Sequence, residues 1–167
     1  MSPSSKKGQF PAMPSPLKIS LDGTVVVIGM GNRLRSDDGI GSIVAEQLHT
    51  RGTVTVFDAG VNLENYHGKI VALQPDRLII VDAVDFGGSP GEIRILPART
   101  IETVNLFSTH NVSISLFIHY VQSAISADII ILAVQPKSLV FGETLSPEVA
   151  QAARTIEEWF DGAEEER

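Results

Sequence analysis

The sequence contains no cysteine and has fewer basic than acidic side chains. Without cysteine, the chain forms no disulfide bond and offers no thiolate as a nucleophile or metal ligand. A metal ion would therefore have to be bound by oxygen atoms and imidazole nitrogen. The 13 Lys and Arg residues are outnumbered by 20 Asp and Glu residues, which gives a formal net charge of −7 at pH 7. This charge argues against a nucleic-acid partner, because there is no basic excess to displace phosphate counterions.

The sequence also lacks a long hydrophobic run. No uninterrupted apolar segment reaches the ~18 residues of a membrane-spanning helix. No apolar stretch follows Lys6 and Lys7, so the sequence predicts no secretory signal. Hydrophobic residues make up 43% of the 167 residues, which is enough for one folded core. We therefore expect a protein without membrane insertion, located in the reducing cytoplasm.

The composition divides the chain into three regions. Residues 1–17 contain four of the nine prolines and few large apolar side chains, which predicts a flexible leader. Residues 18–162 have the composition of a single folded domain, and residues 163–167 form a short acidic tail that we expect to be solvated.

Strand and helix patterns alternate along the domain. Five segments have β-branched or alternating compositions typical of strands, and the fourth resembles an edge strand: residues 24–28, 53–57, 77–81, 92–96 and 128–134. Helical periodicity predicts helices at residues 40–48, at residues 112–127 after Asn111 as N-cap, and from Pro147 after Ser146. This alternation predicts an α/β fold, a three-layer sandwich in which helices cover both faces of a mostly parallel, twisted sheet of about five strands.

Polar side chains lie near the ends of several predicted strands. Asp37 and Asp38 lie in the loop after the first strand, Asp58 and Asp82 follow the second and third, and His110 precedes a helix. Ligands bind at the carboxyl ends of parallel strands, where two carboxylates and a histidine would suit a borderline divalent ion. Structural roles stay open for each residue, because aspartates also cap helices and turns and a lone histidine is often a cap or surface residue.

A dinucleotide-binding domain is one alternative. Gly29 and Gly31 follow a strand, as in the glycine-rich fingerprint of that fold. The position of the third glycine is occupied by Leu34, and the carboxylates of Asp37 and Asp38 would repel a pyrophosphate at the helix N-terminus. The sequence therefore disfavours this class.

A phospho-accepting receiver domain is a second alternative. Its pattern combines an acidic pair, a further aspartate and a lysine, and Asp37, Asp38, Asp82 and Lys137 imitate that set. In receivers the acidic pair follows its strand directly, whereas a loop intervenes here. The spacing therefore disfavours this class as well.

One ordered set of motifs extends from about Thr24 to Phe160. It comprises Val26–Gly41, Phe57–Gly60, Leu78–Asp85, Pro90–Arg94, Ser108–Asn111, Gln135-Pro136 and Leu145-Ser146. In order and spacing this set resembles the hydrogenase maturation proteases. The Pro90–Arg94 and Ser108–Asn111 stretches are most similar to the branch that processes the large subunit of hydrogenase 3, the formate hydrogenlyase enzyme.

The resemblance implies an endopeptidase that removes the C-terminal extension from the nickel-loaded precursor of a nickel–iron hydrogenase large subunit. It implies that Asp38, Asp82 and His110 recognise the nickel, which arrives with the precursor, and that Asp38 and Asp82 are the catalytic residues. The precursor is then the expected partner, and we expect the protease to be a monomer.

The resemblance leaves the chemistry of peptide hydrolysis open. The metal could polarise a carbonyl or a water molecule, or a free carboxylate of Asp38 or Asp82 could act as a general base. A non-catalytic relative that only binds the large subunit as a maturation chaperone is the alternative function. The presence of all three residues, Asp38, Asp82 and His110, argues against it, because a binding surface alone would not need them.

Overall fold

The structure is a computed structural model that describes residues 19–103 and 110–165. The predicted leader at residues 1–17 and the last two residues of the acidic tail lie outside the described residues. The strands are β1 (Val25–Met30), β2 (Val54–Gly60), β3 (Arg77–Ala83), β4 (Ile93–Pro97) and β5 (Asp128–Val134). The helices are α1 (Ile40–Gln47), α2 (His67–Leu73), α3 (Thr100–Thr103), α4 (Asn111–Ala124) and α5 (Pro147–Glu165). Two short 3-10 helices lie at Ser36–Gly39 and Leu63–Tyr66.

The five strands form one sheet with the order β2-β1-β3-β5-β4. β1 pairs in parallel with β2 and β3, and β3 pairs in parallel with β5. β4 lies at the edge of the sheet, as its alternating sequence predicted, and it runs antiparallel to β5. The mostly parallel α/β fold is therefore confirmed.

Both faces of the sheet are covered, which explains the continuous hydrophobic runs in the central strands. All six residues of β1 are buried. Val26 faces a core shared with α2 and α4, and Val27 faces a second core shared with α1 and α5. Alternating side chains of one strand thus fill two separate cores, as expected for a parallel sheet between two helix layers.

Several boundaries differ from the sequence predictions. β2 continues through Asp58 to Gly60, and β3 continues through Asp82 to Ala83, so both aspartates lie within strands and not after them. His110, not Asn111, occupies the N-cap position of α4. α5 continues to Glu165, which places the first residues of the predicted tail in a helix.

Two glycines let α1 lie directly against the sheet. A Cβ atom on Gly41 would collide with the carbonyl oxygens of Met30 and Val81, and one on Gly29 would collide with the carbonyl oxygen of Gly41. This close approach fixes the segment between β1 and α1 above the carboxyl ends of β1 and β3. Within residues 19–103 and 110–165, no helix combines the length and the apolar composition needed to cross a bilayer.

Candidate active site

The three predicted site residues lie at the carboxyl edge of the sheet. Asp38 belongs to the 3-10 helix after β1, Asp82 lies near the end of β3, and His110 precedes α4. Asp38 is 1% exposed and Asp82 is 0% exposed. The side chain of His110 is 12% exposed. Burial of ionisable groups is costly unless they are paired, so this cluster marks a site with a specific use.

His110 and Asp82 are in direct contact. Nδ1 of the imidazole lies 3.5 Å from Oδ1 of Asp82, which is long for a hydrogen bond and close enough for strong attraction between charges. This contact with the Asp82 carboxylate is the largest cause that raises the pKa of His110 above its ordinary value, and the charges of Asp82 and Asp38 add to it. Burial and the charge of Arg35 act in the opposite direction. The surroundings therefore favour the protonated imidazolium.

Asp38 is held in the same site by the loop that follows β1. Its Oδ2 accepts a hydrogen bond from the backbone N–H of Asn32 at 3.3 Å. Oδ1 of Asn32 in turn accepts a hydrogen bond from the backbone N–H of Leu34 at 2.9 Å. Because the charge of Asp38 also raises the pKa of His110, the two side chains belong to one electrostatic cluster.

Asp37 has a different role from its neighbour. Its side chain is fully buried and accepts hydrogen bonds from the backbone N–H groups of Lys137, Ser138 and Ser146, at 2.9, 3.0 and 2.7 Å. The hydroxyl of Ser146 donates a further bond at 2.9 Å. Asp37 thus anchors the loop between β5 and α5. Among the described residues no side chain caps the N-terminus of α1 or of the 3-10 helix before it. The helix-capping interpretation is therefore wrong for Asp37, whose structural role lies in the loop before α5.

Other carboxylates near the strand ends have structural surroundings. Asp58 is exposed on β2, and Oδ2 of its carboxylate lies 3.4 Å from the guanidinium of Arg33. Oδ1 of Asp85 accepts hydrogen bonds from the backbone N–H of Gly87 and from the amide of Gln135, both at 3.0 Å. These two residues therefore stabilise loops around the site.

The lysine that imitates a receiver domain is directed to another partner. Nζ of Lys137 lies 2.7 Å from Oε1 of Glu148, at the start of α5. The geometry therefore gives no support to the arrangement in which a lysine approaches the aspartate of β3.

Gln135 is a supporting residue to which the sequence analysis assigned no role. It is 6% exposed, and its Oε1 accepts hydrogen bonds from the N–H groups of Phe86 and Gly88 at 3.0 and 3.1 Å. Gln135 thereby ties the end of β5 to the loop that follows Asp82. The signal in the sequence was an amide directly after a buried strand and before Pro136.

The donor set suits a metal ion that brings ligands of its own. Among residues 19–103 and 110–165, no three His, Asp or Glu side chains are grouped closely enough to hold a metal ion by themselves. Asp38, Asp82 and His110 nevertheless present carboxylate oxygen and imidazole nitrogen, which are suitable donors for nickel once the imidazole loses its proton. The carboxylates are also suitable proton acceptors for a water molecule.

Comparisons with known proteins agree on one family. A sequence model described as hydrogenase maturation protease matches residues 40–160, a range that contains Asp82 and His110. The chain is 34% identical to the hydrogenase 3 maturation protease of Escherichia coli K12 over 143 residues, which cover 84% of this chain and 91% of that protein.

Solved structures give the same result. The crystal structure of a nickel–iron hydrogenase maturation protease, HycI from Thermococcus kodakarensis, matches with a TM-score of 0.76 and 30% identity over 86% of this chain and 94% of that one. The solution structure of the endopeptidase HycI from Escherichia coli matches with a TM-score of 0.74 and 34% identity, over 84% and 91% of the two chains.

Proposed function

The chain belongs to the hydrogenase maturation protease family and is a peptidase, and from this premise we propose that it removes the C-terminal extension of a nickel–iron hydrogenase large-subunit precursor. The observation that carries the proposal is the joint placement of Asp38, Asp82 and His110 at one edge of the sheet. A maturation chaperone that only binds the precursor would not need two buried carboxylates that both act on an imidazole, one of them in contact with it.

We further propose that the precursor carries the nickel and that Asp38, Asp82 and His110 recognise it there. Two observations support this assignment. The three side chains supply donor types that bind nickel without thiolates, and such a set binds the ion only moderately. A weak partial site is suited to inspecting a metal that another protein holds, because it does not strip the metal. Precursor with nickel would then bind more tightly than precursor without it.

The surroundings of His110 support a carboxylate as the group that accepts a proton from water during hydrolysis. The contact with Asp82 raises the pKa of His110 and so makes the neutral, proton-accepting form of the ring less available. In the nickel complex the ring nitrogen is a ligand. A carboxylate that binds nickel through one oxygen keeps its second oxygen as a proton acceptor, so we assign the general base to Asp38 or Asp82: the carboxylate accepts a proton from water, the oxygen attacks the carbonyl carbon, and the proton is delivered to the departing amine as the C–N bond breaks.

The proposal is tested by mixing the protein with nickel-loaded large-subunit precursor from the same cell and following intact masses. Nickel-free precursor is the matched control. We expect loss of a short C-terminal peptide from the loaded form alone. A stable complex without a mass change would favour the maturation chaperone, and equal cleavage of both forms would remove nickel recognition from the proposal. The monomeric state and the cytoplasmic location stay predictions.

A further inference from the structure

Three large apolar side chains are exposed on loops that are bonded to the 3-10 helix containing Asp38 or lie directly before it. Leu34, Val140 and Phe141 are 49%, 68% and 84% exposed. They lie on two loops that are joined by hydrogen bonds: the N–H of Gly142 donates to the carbonyl oxygen of Leu34 at 2.9 Å, and the hydroxyl of Ser36 donates to that of Val140 at 2.8 Å. We call Leu34, Val140 and Phe141 the apolar ledge.

The ledge has a fixed position relative to the site. The loop that bears Val140 and Phe141 is bound by the buried carboxylate of Asp37 at both of its ends, through Lys137 and Ser138 on one side and Ser146 on the other. The exposure of these apolar groups is therefore a property of an anchored loop. An anchored apolar surface loses little conformational entropy when a partner covers it, which favours binding.

The ledge is continuous with the carboxyl edge of the sheet, where the candidate active site lies. Leu34 is followed along the chain by Arg35, whose charge acts on His110, and then by the 3-10 helix that contains Asp37 and Asp38. A polypeptide that places a peptide bond beside Asp38 therefore lies within reach of the ledge.

Two basic side chains on the loops that carry the ledge are already paired within the chain. Arg33 is paired with Glu46 at 2.6 Å, and Lys137 is paired with Glu148 at 2.7 Å. These ion pairs already neutralise two basic side chains of the loops, which are then not free to attract an acidic segment. Exposed aromatic and aliphatic groups next to a site gain free energy mainly by burial against other apolar groups.

We propose that the apolar ledge binds an apolar side chain of the precursor segment that adjoins the cleaved peptide bond. This inference rests on the proposed function and adds to it the surface that positions the substrate. Phe141, the most exposed of the three, is the expected anchor, because aromatic side chains contribute most to binding at protein interfaces.

The test compares Phe141→Gln and Leu34→Gln with Leu73→Gln. Leu73 is 40% exposed at the end of α2, toward the opposite edge of the sheet, and serves as the matched control. Initial rates with nickel-loaded precursor at several concentrations give kcat and KM. We expect Phe141→Gln to raise KM by about tenfold with kcat within about twofold of wild type, and Leu73→Gln to change neither. Calorimetric binding of the same precursor provides a readout that does not depend on cleavage.

The outcomes separate this inference from the proposed function. If the wild-type protein cleaves the precursor and Phe141→Gln has an unchanged KM, the binding role of the ledge is overturned and the proposed protease function still stands. A lower kcat at constant KM would also overturn it, because the ledge would then act on the site and not on binding. If Phe141→Gln abolished self-association in sedimentation experiments at constant KM, the ledge would bind a second copy of the chain. A wild-type protein that neither binds nor cleaves the loaded precursor would overturn both proposals.

Discussion

Asp37 and Asp38 are neighbours in the sequence, and the fold gives them separate roles. The carboxylate of Asp37 accepts four hydrogen bonds from the loop between β5 and α5. Asp38 is bound to the N–H of Asn32 and acts electrostatically on His110. The first carboxylate thus holds the loop, and the second is the candidate for chemistry.

Replacement of Asp82 tests the chemistry at the residue scale. Asp82→Asn keeps the size of a fully buried side chain and removes its charge. We expect processing of the precursor to fall by about 100-fold or more, because the proposed proton acceptor and nickel ligand is lost, while the protein still folds. Intact-mass kinetics measure the first effect and thermal unfolding the second.

Asp58→Asn is the control for this experiment. It neutralises an exposed carboxylate on the neighbouring strand, and we expect the rate of processing to stay at the wild-type value. Wild-type processing by Asp82→Asn would contradict the assigned role.

The pair of His110 and Asp82 predicts a pH dependence of stability. The pKa of His110 is raised in the folded protein, mainly by its contact with Asp82, relative to about 6.5 in an unfolded chain. The contribution of protonated His110 to the free energy of unfolding is therefore fully present below about pH 6.5. It is lost as the pH rises through the raised pKa of His110 in the folded state. We expect the difference in Tm between the wild-type protein and His110→Gln to be larger near pH 6 than near pH 9. A difference in Tm that grows with pH would contradict a pKa of His110 that is raised on folding.

At the scale of elements, the loop between β5 and α5 depends on a residue about a hundred positions earlier in the chain. Asp37→Ala would leave the partly buried N–H groups of Lys137, Ser138 and Ser146 without their acceptor, so we expect a loss of about 2–4 kcal/mol in the free energy of unfolding. Ser146→Ala removes the hydroxyl and keeps the backbone bond, so we expect a loss of about 1 kcal/mol. Urea unfolding measures both, and equal losses would contradict the anchoring role of Asp37.

The strands could be predicted from the sequence because burial on both faces requires uninterrupted apolar runs. β5 was predicted with its observed bounds. β3 was predicted to end two residues too early, at Val81, because an aspartate at position 82 resembles a strand end. It continues to Ala83 because Asp82 pairs with Ala133 and Ala83 with Val134. Pairing with a distant strand determined this boundary, and a local pattern does not contain that information.

The helices show the same limit. The periodicity of α1 and α5 is strong, and both were predicted. α2 was not predicted, because its apolar residues, Ile70 to Leu73, are consecutive and give no helical period; in the structure only Ile70 of this helix is buried. The sequence could likewise suggest Asp38, Asp82 and His110 from strand ends and family resemblance. The partners of Asp37 and Gln135 depend on loop geometry that the local sequence does not specify.

At the scale of the whole molecule, the sheet separates stability from chemistry. Two apolar cores lie on its two faces, and the ionisable groups of the site lie at one edge. The strands that carry the site are therefore held on one face by one core and on the other face by the second core. A partner that approaches this edge meets the partly exposed imidazole of His110 and the apolar ledge, and the carboxylates of Asp38 and Asp82 are buried at the same edge.

This architecture predicts how the free protein handles nickel. The chain has no thiolate, and in the described part of the chain no group of three side chains is arranged to hold a metal ion. His110 must also release a proton before it binds, and the contact with Asp82 opposes that release. We therefore expect the protein alone to bind Ni²⁺ with micromolar or weaker affinity, to lose affinity as the pH falls, and to leave the nickel of a loaded precursor in place. Calorimetry in two buffers with different ionisation enthalpies measures the affinity and the released proton, with His110→Gln as the control that releases none. Nickel that copurifies in stoichiometric amount and resists dialysis would instead make the ion a resident cofactor, and the gating of cleavage by the precursor's own metal would have to be abandoned.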